Sequence, residues 1–218
     1  MPHTFDAFIF DLDDTLVDSS AVVRRVMGAW CDEHGLAIDE VMSLSKGLRT
    51  EDTIAAVAPH LDAKSEALEI ESREQRAAGE VEPIRGAREF LQELPKDRWA
   101  IATSSSRPSA EAKLMAAGLT TPDVLVAAEM VQNGKPHPEA FLLAAAGLAS
   151  GPSRCLVFED ADSGIKAATA AGCSVVVIGS EADTSVSGVI GRVDDFTQVG
   201  FLAGSGGLAV SLRPNREL

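Results

Sequence analysis

Short apolar runs of strand type alternate with helical segments through residues 84–178. The predicted strands cover 99–103, 124–127, 155–158 and 175–178, and the predicted helices cover 86–94, 108–117, 138–146 and 163–171. Parallel strands need a crossover of about a dozen residues or more, usually a helix, so the alternation predicts a parallel sheet with helices on both faces. Residues 5–12 are predicted to join this sheet as its first strand, because they contain the apolar run Phe8, Ile9 and Phe10.

Residues 18–83 differ in character, because they contain no β-branched run of strand length. The predicted helices in this segment cover 20–35, 39–45, 50–58 and 63–79. The predicted fold class is therefore α/β, with a parallel-sheet core formed by residues 1–17 and 84–218 and an α-helical insertion over residues 18–83. Since the insertion follows the first strand, it should lie above the carboxyl end of that strand, in the position of a lid.

The C-terminal stretch, residues 181–218, is predicted to add a short helix near 194–200 and an edge strand at Leu208–Leu212. Its segment Gly204–Ala209 has the glycine spacing of a dinucleotide-binding fingerprint. Too little chain follows this segment to build the strand–turn–helix unit that such a site requires, so we predict a flexible loop there.

Composition and charge argue against several classes of protein. The formal net charge of −14 disfavours binding to nucleic acid or to an anionic membrane, although a small anionic substrate is compatible with it. Cys31, Cys155 and Cys173 show neither a disulfide framework nor metal-ligand spacing, which favours a reduced, cytoplasmic setting. Neither a secretory signal nor a membrane span is expected. We expect a monomer, because no long apolar stripe is left over on the acidic surface.

Polar side chains of chemical interest follow four of the predicted strands. In chain order they are Asp11 and Asp13, Thr103 and Ser104, Lys135, and Glu159 and Asp160. The carboxyl ends of parallel strands meet at one edge of the sheet, and ligands of such sheets bind there. Two carboxylates as close as Asp11 and Asp13 repel each other, and a cation or a shared proton must relieve this. The pattern therefore predicts a metal-assisted or acid/base site at this edge.

Each motif by itself also has a common structural explanation. Residues 11–15 alone would be a turn or a helix cap, and Glu159 and Asp160 alone would cap the helix predicted over 163–171. Lys135 alone would be a solvated surface lysine, and residues 103–106 a polar loop. The functional interpretation is favoured because all four motifs stand at predicted strand ends.

The four motifs together resemble those of the haloacid dehalogenase-like superfamily, in its phosphatase branch with a helical cap, over residues 5–180. The matching residues are Asp11, Asp13 and Thr15 in the first motif, Thr103 in the second, Lys135 in the third, and Glu159 and Asp160 in the fourth. Asp14 stands where the family usually has glycine. The resemblance implies a Rossmann-like parallel-sheet core with an inserted α-helical cap domain that contributes to substrate specificity.

The resemblance also implies a role for each motif. Asp11 attacks phosphorus to form an aspartyl-phosphate, and Asp13 protonates the leaving alkoxide and then deprotonates the attacking water. Thr103 and the amide of Ser104 bind phosphoryl oxygens, and Lys135 pairs with both the phosphate and Asp11. The implied cofactor is Mg²⁺. Its implied ligands are Asp11, the backbone carbonyl of Asp13, Asp160 and, directly or indirectly, Glu159.

Four stretches look most like the glycerol-phosphate and 2-deoxyglucose-phosphate phosphatases of this superfamily. They are residues 46–53, 94–104, 134–139 and 158–161. The resemblance implies Mg²⁺-dependent hydrolysis of a small sugar or polyol phosphate. Arg49, in the loop between two predicted cap helices, is predicted to hold the sugar hydroxyls or the phosphate; an exposed loop charge is the alternative.

The rival interpretation is a phosphosugar mutase of the β-phosphoglucomutase type, which shares the fold and the motifs. Mutases of that kind carry a cap histidine where this chain has Val23, and a cap arginine where it has Thr50, and both departures weaken this alternative. Dehalogenases and phosphonatases lack the second aspartate, so Asp13 argues against both. A non-catalytic binding module is disfavoured as well, because a binder does not need the acid Asp13.

Overall fold

Strands and helices follow one another in the alternating order that the sequence predicts. The structure is a computed structural model, and it describes residues 3–179, 182–204 and 206–213. The strands among these residues are β1 (His3–Phe5), β2 (Ala7–Phe10), β3 (Val17–Asp18), β4 (Glu82–Pro83), β5 (Trp99–Ala102), β6 (Val124–Val126), β7 (Cys155–Glu159), β8 (Ser174–Ile178), β9 (Val189–Val193), β10 (Val199–Gly204) and β11 (Gly207–Leu212). The α-helices are α1 (Ser20–His34), α2 (Ile38–Ser45), α3 (Thr50–Val57), α4 (Ala63–Ala77), α5 (Ala87–Glu93), α6 (Arg107–Ala116), α7 (Glu139–Gly147) and α8 (Asp162–Ala170). Among the described residues, no helix combines the length and the apolar character that crossing a membrane requires.

A parallel sheet of six strands forms the centre of the molecule, in the order β6-β5-β2-β7-β8-β9. β2 is hydrogen-bonded in parallel to β5 on one side and to β7 on the other, so the first strand of the chain occupies the middle of the sheet. This confirms the predicted α/β fold class. The edge strand β9 was not predicted, because most of its residues are half-buried and it lacks a continuous apolar run.

Alternate side chains of the central strands enter two separate apolar cores. On β2, Phe8 and Phe10 point to one face of the sheet, whereas Ala7 and Ile9 point to the other. The first face is aromatic, since the rings of Phe8 and Phe10 lie 5.5 Å and 4.9 Å from that of Phe158 on β7. The helices α5 and α6 contribute to this core, and α7 and α8 contribute to the other. The sheet is thus covered on both faces.

The segment between β3 and β4 consists of the four helices α1 to α4, and we call residues 18–83 the helical insertion. β3 and β4 pair in antiparallel fashion where the chain leaves the sheet and returns to it. Trp30 and Ile70 have no exposed surface (0%), and their apolar cluster is continuous with the aromatic face of the sheet. Whether the insertion is a separate cap domain stays a prediction. Of the predicted core, residues 1–2, 180–181, 205 and 214–218 lie outside the described residues.

The C-terminal region forms a second, antiparallel sheet in the order β1-β11-β10. The helix predicted near 194–200 is therefore wrong: Phe196–Gln198 form only one 3₁₀ turn, and strand β10 starts immediately afterwards. The ring of Phe201 on β10 lies 6.0 Å from that of Phe8, so this strand packs over the aromatic face of the central sheet. Pairing with β11 determines its conformation.

The predicted edge strand at Leu208–Leu212 is present as part of β11, but it is the middle strand of three. The glycine-rich segment Gly204–Ala209 lies at the end where β10 and β11 pair as a hairpin. Ser205 of this segment lies outside the described residues. Gly207 has a φ of +122°, and a Cβ there would collide with the carbonyl of Phe5. Its lack of a side chain therefore permits the close approach of β1.

Candidate active site

A cavity of about 770 Å³ lies between the carboxyl edge of the six-stranded sheet and the helical insertion. Carboxylates and hydroxyls from the strand ends form its floor: Asp11, Asp13, Thr103, Ser104 and Asp160. Helices of the insertion provide an apolar part of the wall: Val23, Met27, Met42 and Leu44. A cavity of this size suits a small-molecule ligand. The structure therefore brings most of the residues singled out from the sequence to one cavity.

Lys135 connects two of these carboxyl groups beneath the cavity floor. Its Nζ donates to Asp11 Oδ1 at 2.5 Å and to Glu159 Oε1 at 2.6 Å, and the three side chains are almost fully buried. Burial alone would lower the pKa of Lys135, but the two carboxylates outweigh it and raise the pKa above its ordinary value. Lys135 is therefore a permanent cation directly beside Asp11.

Glu159 is held in one orientation by backbone groups at the start of α8. Its Oε2 accepts hydrogen bonds from the amides of Asp160 at 2.9 Å and Ala161 at 3.0 Å, while Oε1 accepts from Lys135. The following helix passes so close that a Cβ at Gly164 would overlap the Glu159 carboxylate. This local geometry explains why a charged side chain is fully buried at the end of β7: all of its charge is matched by donors.

Asp11, Glu159 and Asp160 have carboxylate oxygens within 4.8 Å of one another, an arrangement that could hold a metal ion. Burial raises the pKa of both Asp11 and Asp160, and the neighbouring Glu159 carboxylate raises both further. The hydroxyl of Thr15 donates to Asp160 Oδ1 at 3.2 Å and so helps to orient this side chain. The cluster holds more negative charge than its own cation compensates, and its hard oxygen donors fit a divalent cation such as Mg²⁺.

Asp13 has a different environment from Asp11, although only one residue separates them. Its Oδ1 accepts from Ser19 Oγ at 2.6 Å and from Lys113 Nζ at 2.7 Å, and its Oδ2 accepts from Ser105 Oγ at 2.7 Å. Burial pushes the pKa of Asp13 up, but Lys113 and the two hydroxyls pull it below the ordinary value. These contacts favour the carboxylate form of Asp13, the form that a general base requires.

Sequence reasoning missed Lys113 and Glu74, which meet at this site. Lys113 lies on α6 of the core and Glu74 on α4 of the insertion, and their charged atoms are 3.2 Å apart. A signal for Lys113 existed in the sequence, because it falls on the buried stripe of α6 with Ala110 and Leu114. A charged residue on an apolar helix face needs a buried partner, but the partner itself could not be named from the sequence.

The two residues that follow β5 make different contacts. Thr103 is buried, and its Oγ1 accepts a hydrogen bond from the amide of Ser105 at 3.0 Å. Ser104 donates from its hydroxyl to the carbonyl of Gly47 in the insertion at 2.7 Å. Both line the cavity. Ser104 therefore joins the cavity floor to the loop between α2 and α3, whereas Thr103 shapes the turn after the strand.

Arg49 lies at the seam between the insertion and the core rather than among the residues that line the cavity. Its guanidinium binds the Asp52 carboxylate through two hydrogen bonds of 2.6 Å and 2.8 Å. It also donates to the carbonyls of Val131 at 3.2 Å and Gln132 at 3.4 Å in the loop that leads to Lys135. In this arrangement Arg49 fastens the insertion to the core, and its predicted contact with substrate stays a prediction.

Comparison with known proteins identifies the family. The family model for haloacid dehalogenase-like hydrolases matches residues 5–172, which is more than half of the chain. The chain belongs to this family. It is 42% identical over 185 residues to hexitol phosphatase A of Escherichia coli K12, covering 81% of this chain and 84% of that protein. It is 33% identical over 192 residues to glycerol-1-phosphate phosphohydrolase 2 of Saccharomyces cerevisiae, covering 82% of this chain and 76% of the relative.

Solved structures of other proteins share the haloacid dehalogenase-like fold seen here. A β-phosphoglucomutase from Clostridium difficile superposes with a TM-score of 0.79, covering 89% of this chain and 92% of the mutase. Its sequence identity to this chain is 22%, so the similarity establishes the fold. This chain and the mutase therefore share their overall fold.

Asp14 is the residue at which this haloacid dehalogenase-like hydrolase departs from the usual glycine of the first motif. Its φ of +58° is in the left-handed region, which glycine adopts readily and aspartate tolerates. Its Oδ1 accepts hydrogen bonds from the amides of Ser19 at 3.1 Å and Ser20 at 3.0 Å. Asp14 thus compensates for its backbone conformation by capping α1, as expected for a turn or capping residue.

Proposed function

We propose that the protein hydrolyses small sugar or polyol phosphate monoesters in a Mg²⁺-dependent reaction that proceeds through an aspartyl-phosphate. The observation that carries the proposal is the position of the Asp11 carboxylate, on the floor of the cavity and beside a buried lysine. A nucleophilic carboxylate needs positive charge close by, because a phosphate dianion would otherwise repel it. Lys135 supplies such a charge, and Asp13 lies on the same floor.

The proposed reaction has two steps. Asp11 attacks phosphorus, the bond between phosphorus and the ester oxygen breaks, and Asp13, which enters this step protonated and leaves it as a carboxylate, gives its proton to the departing alkoxide. In the second step Asp13 takes a proton from water, which attacks the aspartyl-phosphate and releases inorganic phosphate. Lys135 stays cationic and offsets the negative charge that builds on the phosphoryl group, and Thr103 and the amide of Ser104 bind its oxygens.

The residues that would hold Mg²⁺ are Asp11, the backbone carbonyl of Asp13, Asp160 and, directly or indirectly, Glu159. Both oxygens of Glu159 already accept hydrogen bonds from protein donors, which supports an indirect role for this residue. When bound, the ion would supply positive charge that reduces the repulsion between the phosphate and the carboxylates. The crowding of Asp11, Glu159 and Asp160 supports such a requirement.

The substrate class is inferred from the relatives and from the cavity. The relatives named above act on hexitol phosphates and on glycerol 1-phosphate. The cavity combines a polar floor with an apolar wall and has room for a small phosphorylated polyol. Val23 lines it at the position where the mutases carry a histidine, which favours hydrolysis over phosphosugar transfer. We keep Arg49 as a proposed substrate contact, which requires its release from Asp52.

We also propose a cytoplasmic monomer that binds neither nucleic acid nor membranes. The net charge of −14 supports the absence of polyanionic partners. Cys31, Cys155 and Cys173 are all free and buried, which supports a reducing environment.

A panel of phosphate esters tests the proposal. It should include glycerol 1-phosphate, mannitol 1-phosphate, glucose 6-phosphate and β-glucose 1-phosphate, each assayed for free phosphate with Mg²⁺ present. We expect phosphate release from at least one polyol or sugar ester. Asp11→Asn should lower that activity by about a thousandfold or more, because it removes the nucleophile.

The matched control is Asp123→Asn, which removes an exposed carboxylate that precedes β6 at the opposite edge of the sheet and should leave the rate unchanged. No phosphate release from any ester by folded protein would refute the proposal. Conversion of β-glucose 1-phosphate to glucose 6-phosphate without free phosphate would establish the mutase instead.

A further inference from the structure

Lys113 is a buried cation that the proposed reaction does not use. It lies on α6 and is 1% exposed. Its Nζ contacts Asp13 Oδ1 at 2.7 Å, Ser105 Oγ at 3.1 Å and Glu74 Oε2 at 3.2 Å. A lysine ammonium has three N–H donors, so these contacts use its full capacity.

The contacts of Lys113 leave Asp13 little freedom to move. Ser19 Oγ shares the same carboxylate oxygen with Lys113, and Ser105 Oγ binds the other oxygen while it also contacts Lys113. Asp13 is therefore held from several sides, and Lys113 is the charged member of that set. Its removal would leave the Asp13 carboxylate with two hydroxyl donors and no counter-charge.

Glu74 extends this network from the core to the insertion. It lies on α4 and is almost fully buried, whereas Lys113 and Ser105 belong to the core. The Lys113–Glu74 pair therefore forms only when α4 lies against α6. Because the same ammonium binds Asp13, the position of the insertion and the position of Asp13 are linked through one residue.

Stability alone is a weak explanation for this arrangement. Burying a lysine with two carboxylates has a large desolvation cost, and apolar replacements of such groups are often neutral or stabilising. Lys113 and Glu74 also line the cavity, beside Asp13, the carboxylate to which the proposed reaction assigns proton transfer. Both the desolvation cost and the location of Lys113 and Glu74 are explained if these residues place Asp13.

We propose that Lys113 is a positioning residue for Asp13, and that Glu74 makes this positioning depend on the seating of α4 against the core. The inference rests on the proposed function, in which Asp13 protonates the leaving oxygen. Lys113 acts through Asp13 rather than on the phosphate.

A comparison of two leaving groups tests this role. Glycerol 1-phosphate releases an alkoxide and needs a proton donor, whereas p-nitrophenyl phosphate releases a stable phenolate and needs it far less. For Lys113→Met, we expect kcat/KM to fall by about tenfold or more for glycerol 1-phosphate and by about threefold or less for p-nitrophenyl phosphate. Lys96→Met, at an exposed lysine of the core, is the matched control and should change neither value.

A double-mutant cycle separates positioning from a purely structural effect. In an Asp13→Ala background, Lys113→Met should cause no further loss with glycerol 1-phosphate, because the group that it positions is already gone. Glu74→Gln keeps the shape of the side chain and should show the same selective loss to a smaller extent. Glu69→Gln, at an exposed position of the same helix, should leave both esters unaffected.

The outcomes distinguish the two proposals. Equal losses of kcat/KM for both esters in Lys113→Met and Glu74→Gln would overturn the positioning role. A full further loss from Lys113→Met in the Asp13→Ala background would overturn it as well. In both cases the wild-type activity would still support the proposed function. If Lys113→Met does not fold, the positioning role is tested with Glu74→Gln, by comparing its losses of kcat/KM for the two esters. A wild-type protein that releases phosphate from no ester of the panel, nor from p-nitrophenyl phosphate, would overturn both proposals.

Discussion

Gly164 stands directly over the buried carboxylate of Glu159 at the start of α8. A Cβ at this position would overlap both carboxylate oxygens, and Glu159 cannot move aside because Lys135 and two backbone amides hold it. We expect Gly164→Ala to lower the free energy of unfolding by about 1–3 kcal/mol, the usual cost of overpacking. Urea denaturation measures this change, and activity should fall with it because Glu159 supports Lys135.

Gly28 provides the control for Gly164, since it lies in the middle of α1 with no atom within 4 Å of a built Cβ. Gly28→Ala should raise the free energy of unfolding by about 0.5–1 kcal/mol, because alanine loses less backbone entropy on folding. If both variants had the same stability as wild type, the tight packing described at Gly164 would be contradicted.

At the level of single residues, the sequence predicts the groups whose position follows from a strand end. Asp11, Thr103 and Asp160 are of this kind, and all three line the cavity. Lys113 and Glu74 could not be paired in advance, because their contact joins α6 of the core to α4 of the insertion. Nothing local to either residue specifies such a partner.

At the level of elements, α4 has one buried and one exposed face. Ile70 is 0% exposed, whereas Leu68 on the same helix is 62% exposed. We expect Ile70→Ala to lower the free energy of unfolding by about 2–5 kcal/mol, because it leaves a cavity in the apolar cluster of the insertion. Leu68→Ala should change it by about 0.5 kcal/mol or less.

Urea unfolding followed by the fluorescence of Trp30 measures the effect on α4. Trp30 is fully buried in the insertion, and its Nε1 donates to Glu66 on α4 at 2.8 Å, so it reports on this helix directly. Replacing the second tryptophan, Trp99, with phenylalanine removes the signal from the sheet. Similar costs for Ile70→Ala and Leu68→Ala would show that α4 does not pack as described.

The elements also show where a sequence pattern is reliable. The four helices of the insertion were predicted to within about two residues, because helical periodicity is a local property. The helix predicted near 194–200 was wrong, since β10 is a strand through its pairing with β11 and its packing against the aromatic face. Distant partners decided the conformation of that segment.

At the level of the whole molecule, we expect a metal ion bound at the cluster of Asp11, Glu159 and Asp160 to stabilise the fold. A ligand that binds only the folded state adds about 2.7 kcal/mol at a concentration a hundred times its Kd. For a chain of this length, we expect saturating Mg²⁺ to raise Tm by roughly 5–10 °C. Asp160→Asn should lose this shift, because it removes a proposed ligand.

Thermal denaturation with Mg²⁺, and again after treatment with a chelator, measures the shift without any assay of activity. In the metal-free protein, Asp160→Asn should be at least as stable as wild type, because it removes one of three crowded carboxyl groups. Asp123→Asn is the exposed control and should keep the full response to Mg²⁺. An equal shift in the Asp160→Asn variant would contradict the proposed metal site.

The sequence by itself determined the alternating α/β core, the helical insertion and the polar strand ends, because strand and helix periodicity and the carboxyl edge of a parallel sheet follow from local chemistry. The tertiary structure decided which of those groups face each other. It placed Lys135 between Asp11 and Glu159, joined Arg49 to the carbonyls of Val131 and Gln132, and joined Lys113 to both Asp13 and Glu74. Such pairings depend on how distant elements pack against one another, and contacts between residues so far apart in the chain leave no local pattern in the sequence.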